Sequence, residues 1–207
     1  LERYPENLPA SIELGLLYSQ VGKDAAAEEL FAGLGRRQAD NSDVVQVFLQ
    51  HLLARKRYGD AMTAISLMLQ GAPDDPGLQY IAGATHFLSE QYEEALAHFR
   101  LVTPGSELYV DAVIHRAIIH NKEGRTKEGI ALLESVLDAV DRTGSLELMV
   151  YLSALYQEQE RYSDAMAILK RGLSIDPENI DLHYELGVLN DKMGRTEAAI
   201  EQMKTVI

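Results

Sequence analysis

Cysteine and tryptophan are missing from this chain. Proline occurs only six times in 207 residues, and basic residues are scarce beside acidic ones, 19 Lys and Arg against 32 Asp and Glu. Without cysteine there is no disulfide framework and no thiolate metal site, while the redox compartment stays open. The formal charge of −13 repels a phosphate backbone, and no run of Lys and Arg interrupts it, so nucleic acid is not the expected partner. No apolar stretch approaches the roughly 20 residues that span a bilayer, so no membrane span is expected. What is plentiful is apolar material, 46% of the residues, with no low-complexity block, as a chain that buries a core requires.

The apolar residues recur with a period of 34. Unit starts fall at Leu8, Ser42, Pro76, Val110, Leu146 and Ile180, and the single longer step carries two extra residues near the polar turn at 141–145. The twentieth position of each unit is small: Ala27, Ala61, Ala95, Gly129, Ala165 and Ala199. One helical turn later stands a large apolar residue each time: Phe31, Ile65, Phe99, Leu133, Leu169 and Met203. The eighth position is mostly small (Gly15, Gly83, Ala117, Ser153, Gly187, with Leu49 the exception), and Gly22, Gly124 and Gly194 hold the fifteenth in three units. Small residues permit a close helix crossing, and a glycine past a helix end permits positive φ. Each unit therefore reads as helix, short turn, helix.

With Tyr58, Tyr92 and Tyr162 at the seventeenth position and Pro5, Pro73 and Pro177 at the thirty-second, the pattern resembles the tetratricopeptide repeat across about the whole chain. It departs from that family in having no Trp at the fourth position and in placing Arg116 where Leu is usual. The sequence of the last unit, LHYELGVLNDKMGRTEAAIEQM, is similar to bacterial members, including cell-envelope ones. The resemblance implies an all-α, right-handed solenoid of about six antiparallel helix pairs, with repeats at 8–41, 42–75, 76–109, 110–145, 146–179 and a truncated 180–207. Residues 1–7 read as the close of a preceding repeat. Neither end carries a polar capping face, so a single array excerpted from a longer one is expected, with end-to-end self-association through its exposed ends.

Motifs that invite chemistry are absorbed by the repeat. Gly15 to Lys23 has the glycines and lysine of a phosphate loop, but the spacing is wrong and Asp24 replaces the hydroxyl residue. His86, His115 and His120 form no metal-ligand spacing, and His86 and His120 are expected as packed side chains with a satisfied nitrogen. The pairs Glu28-Glu29 and Glu93-Glu94 are expected on a solvated face rather than desolvated for acid and base work. No catalytic residue, cofactor or metal is expected, and hence no enzyme.

The resemblance also assigns a binding groove lined by the first helices. Carried onto this sequence, its positions are Ile12; Gln46 and Gln50; Tyr80, Ala84 and Phe87; Ile114, His115, Ile118 and Asn121; Tyr151 and Gln157; and Tyr184. Ile114 and Ile118 fit the inter-repeat core equally well, whereas Tyr80, Tyr151 and Tyr184 are expected in the groove. Ile12 and Leu16 occupy positions where chaperone-tail binders of this family carry a carboxylate clamp, so no clamp is expected. The function implied is non-catalytic binding of a peptide or protein that is apolar with basic flanks, steered by the acidic field. The alternative is a structural element whose end repeats pack on other domains or on a second copy. The RNA-binding pentatricopeptide family has a period one longer and basic faces, and this chain has neither.

Overall fold

The computed structural model describes residues 7–37, 56–140 and 142–207, which fold into eleven α-helices and no strand. They are α1 (Leu8–Gln20), α2 (Asp24–Arg37), α3 (Tyr58–Gly71), α4 (Pro76–Leu88), α5 (Tyr92–Phe99), α6 (Tyr109–Lys122), α7 (Thr126–Val136), α8 (Arg142–Glu158), α9 (Tyr162–Ile175), α10 (Ile180–Lys192) and α11 (Thr196–Thr205). The first helix of the second unit, which would include Leu49, lies outside the described residues. The chain divides into two compact units, Leu1–Ala112 and Val113–Ile207. In the first, α1 packs on α2, α2 on α3, α3 on α4 and α4 on α5; in the second, the same succession runs from α7 to α11. The architecture is the all-α tetratricopeptide type.

Local chemistry sets the helix ends. Asn7, Asp75 and Asn179 each cap a first helix by accepting from the backbone N–H three residues on, at 3.1, 2.8 and 3.1 Å. This gives the recurring Pro-x-Asn/Asp its physical meaning: it delivers the cap. The turn between paired helices closes with a backbone bond spanning five residues, as in Gln91 N–H to His86 O at 2.9 Å and Arg161 N–H to Tyr156 O at 2.8 Å. That geometry needs one left-handed residue. Gly22, Gly124 and Gly194 supply it, and so do Lys56, Glu90 and Glu160, with φ of 56 to 60°. The last three were invisible in the sequence because only glycine advertises the conformation. A side chain in this region carries a steric cost, so Glu160→Gly should raise stability by about 0.5–1 kcal/mol and Gly124→Glu should lower it comparably, as read from urea midpoints. An unchanged midpoint in both would show that the turn is not strained.

The core is built on pairings between the eighth and twenty-fourth positions. A Cβ on Gly15 would lie 2.4 Å from the Phe31 ring, one on Gly83 2.8 Å from Phe99, and one on Gly187 2.8 Å from Met203. The largest side chains thus rest on bare backbone, and where the eighth residue is Ala117 or Ser153 the partner in register is the smaller Leu133 or Leu169. The twentieth-position residues Ala27, Ala61, Ala95, Ala165 and Ala199 are all buried. Gly129 takes the place of alanine in the fourth repeat, its Cβ position being 3.0 Å from the backbone oxygen of Ala117.

A polar bracket recurs beside this core. In the third repeat, Gln79 Nε2 donates to the carbonyl of Pro73 at 2.6 Å, while its Oε1 accepts from His98 Nδ1 at 2.7 Å. In the sixth, His183 Nε2 donates to the carbonyl of Pro177 at 2.8 Å, and its Nδ1 meets Gln202 at 2.7 Å. The two brackets occupy the same repeat positions with histidine and glutamine exchanged.

Candidate functional site

In the second unit the first halves of α8 and α10 and the turn before α10 enclose an open cleft of about 830 Å³. Leu146, Val150 and Tyr151 give it an apolar wall, and Glu147, Asp176 and Asp181 give it three carboxylates. The turn is held in place rather than draped: the Asp176 N–H donates to Gly172 O at 2.9 Å, and Asn179 caps α10 while donating to the Asp176 carboxylate at 3.3 Å. Tyr151 is 39% exposed, and Tyr184, on the next first helix, is 49% exposed. An aromatic surface with carboxylates beside it and, among the described residues, no Lys or Arg in the lining suits a ligand with apolar and cationic groups.

The residues carried over from the family pattern do not all reach a surface. Ile12, Tyr80, Ala84 and Ile114 are buried, as is the neighbouring Ile81. Tyr80 packs against the Phe99 ring with centroids 5.6 Å apart, so the ring expected in a groove lies in the core. Phe87, His115 and Ile118 are partly covered. Asn121 and Gln157 join successive first helices: Asn121 Nδ2 donates to Glu158 at 2.6 Å, and Lys192 Nζ donates to Gln157 Oε1 at 2.9 Å. Gln46 and Gln50 lie outside the described residues. Leu146, Glu147, Asp176, Asn179 and Asp181 line the cleft and were not singled out in the sequence; the acidic turn Asp176 to Asp181 was the available signal.

The groups that could suggest chemistry have structural explanations. Glu28, Glu29, Glu93 and Glu94 are all exposed. His86 stacks on His98 with centroids 5.4 Å apart, and its Nδ1 meets Gln91 at 2.8 Å; burial, followed by the neighbouring His86, holds His98 below the usual histidine range. His120 departs from the expectation of a satisfied nitrogen. It is buried with no hydrogen bond to Nδ1, which stands 3.6 Å from Glu128, and burial is the main cause pushing its pKa down. The Tyr156 phenol is pushed up to about 12 by burial and by its hydrogen bond to Glu134, which keeps it protonated and unsuited to act as a nucleophile at neutral pH. Among the described residues, no three His, Asp or Glu side chains are placed to hold a metal ion, and no helix is long and apolar enough to cross a membrane.

The tetratricopeptide repeat family model matches residues 156–207. No curated protein matches the chain in sequence. Among solved structures, MamA (residues 41 to the end) from Desulfovibrio magneticus RS-1 superposes with a TM-score of 0.58 at 20% identity, covering 81% of this chain and 93% of its own. YrrB, described as a TPR protein with an unusual peptide-binding site, superposes with a TM-score of 0.53 at 16% identity, covering 86% of this chain and 90% of its own. At these identities the likeness is one of fold.

Proposed function

We propose that this tetratricopeptide-repeat chain is a non-catalytic scaffold that binds an extended segment of another protein across α8 and α10, over Tyr151 and Tyr184. The observation that carries the reading is the cleft beside Tyr151, where an apolar wall and three carboxylates share one open surface. Such a surface takes a peptide whose apolar side chains cover the tyrosine and whose Lys or Arg side chains meet Glu147, Asp176 and Asp181. The net charge of −13 steers the same ligand from a distance. YrrB's peptide-binding site supports the class of function, and the Desulfovibrio neighbour accords with a bacterial origin.

The test is fluorescence anisotropy with two labelled peptides, one alternating Leu with Lys and one alternating Leu with Glu. The Lys peptide is expected to bind and to weaken with salt, and the Glu peptide to stay free. Replacing both Tyr151 and Tyr184 by Ala should cost at least about tenfold in affinity, as loss of aromatic anchors does, without loss of helicity. Equal binding of the two peptides, or equal binding by the double variant, would remove the cleft as the site.

A further inference from the structure

The third repeat carries histidine at both its eleventh and its twenty-third positions, His86 and His98, and no other repeat does. The two rings stack with centroids 5.4 Å apart and 11° between their planes, joining α4 to α5. The hydrogen bonds around the pair decide where its protons sit. Gln79 donates its amide N–H to the carbonyl of Pro73, which can only accept, so the Gln79 amide turns its oxygen to His98 Nδ1 at 2.7 Å. His98 Nδ1 must then donate, and in the neutral ring Nε2 holds the lone pair. His86 Nδ1 meets Oε1 of Gln91 at 2.8 Å, and the Gln91 N–H donates to the His86 carbonyl at 2.9 Å, so His86 holds the turn twice. Inside that turn Glu90 is in the left-handed region, with φ of 60°.

A proton added to neutral His98 can go only to Nε2. That sets a cation on a part-buried ring beside a second imidazole. Burial first, and His86 of α4 second, oppose the charge; Glu94, one turn back on α5, is exposed, and no carboxylate, Lys or Arg among the described residues counters the two effects. The unfolded chain therefore takes up this proton before the folded one does. Stability owed to neutral His98 is complete above the unfolded value of about 6.5 and is lost as pH falls through the lower folded value. The sixth repeat lacks the pair. It has Asn190 and Gln202 at the same two positions, and its own bracket histidine, His183, meets an oxygen at each ring nitrogen.

We propose that the stacked His86–His98 pair is an acid-released latch on the α4–α5 hairpin: two neutral rings hold it shut, and a proton on His98 Nε2 parts the stack and frees the turn from Ser89 to Gln91. The device uses no residue of the cleft beside Tyr151, so it stands apart from peptide binding.

Two measurements on the nitrogen-15-labelled chain test this. Long-range proton–nitrogen spectra of the imidazoles at about pH 7.5 should show His98 carrying its proton on Nδ1. Amide-exchange protection of residues 86–92, corrected for the unfolded rate, should fall at least about tenfold between about pH 7.5 and 5, and that of the α10–α11 hairpin should fall less. His98→Gln removes the titrating ring and keeps an amide that can bond Gln79, so its fall over residues 86–92 should be below about threefold. His98 with its proton on Nε2 overturns the proposal, and so does protection of residues 86–92 that acid leaves unchanged. An equal fall in α10–α11, or an equal fall in His98→Gln, overturns it too, because the response would then belong to other groups. Should His98→Gln fail to fold, His86→Phe serves in its place: it keeps a ring in the stack without a second imidazole, and an undiminished fall there also overturns the latch.

Discussion

Phe99→Ala is expected to lower stability by about 3–5 kcal/mol. The ring is fully buried, lies on the bare backbone of Gly83 and packs against Tyr80, so truncation opens a cavity with a flat backbone floor and a bulky aromatic wall. Neither can collapse into it without moving a helix. A urea titration followed by dichroism should show a lower midpoint with little change in slope, the signature of lost stability rather than a changed unfolded state. The same geometry makes Gly83→Ala harmful in the parent, because its Cβ would stand 2.8 Å from the ring. In the Phe99→Ala background that Cβ enters the space just vacated, and alanine's better helix propensity adds about 1 kcal/mol. The double variant should thus be more stable than Phe99→Ala alone, a coupling of opposite sign to the single effect. Simple additivity would mean that the ring does not rest on Gly83.

Ala95→Leu should cost about 1–3 kcal/mol or more, while its neighbour Glu93→Lys should cost less than about 1 kcal/mol. Ala95 is wholly buried where α5 meets its partner helices, and three added carbons have no space to enter except by pushing helices apart. Glu93 is exposed in the first turn of α5, so reversing its charge disturbs only its interaction with the helix dipole. Urea midpoints that fall together for the two variants would show that the twentieth position is not a close crossing.

The sequence made the helix pairs legible because close approach leaves a compositional trace. Ala or Gly must stand at the crossing and a large residue must follow one turn later, whatever the rest of the repeat does. The turn was only half legible, since Glu90 and Glu160 adopt left-handed backbone under the demand of the closing hydrogen bond, and nothing in a glutamate signals that. The binding face was the least legible part. Residues at the fifth position of a repeat sit at the margin between core and surface, and packing elsewhere decides them: Tyr80 is buried against the Phe99 ring, whereas Tyr184 is half-exposed. The cleft also depends on loop residues, Asp176 and Asn179, which helical periodicity does not weigh.

The exchanged histidine and glutamine of the third and sixth repeats bear on how such arrays are inherited. Repeats multiply and shuffle by recombination between similar stretches of one gene, and a crossover falling in the turn between paired helices would join α4 to α11 or α10 to α5. The first product sets Gln79 opposite Gln202, and the second sets His183 opposite His98, whose burial already disfavours a charge. In either hybrid, the tie from the hairpin to the preceding proline carbonyl passes to a glutamine–glutamine or histidine–histidine pair, whose donors and acceptors can still match but whose reach differs from the native pair. A crossover in the Pro-x-Asn/Asp segment ahead of the first helix keeps each bracket whole. The unit that carries its bracket whole is the helix pair taken together with the proline before it.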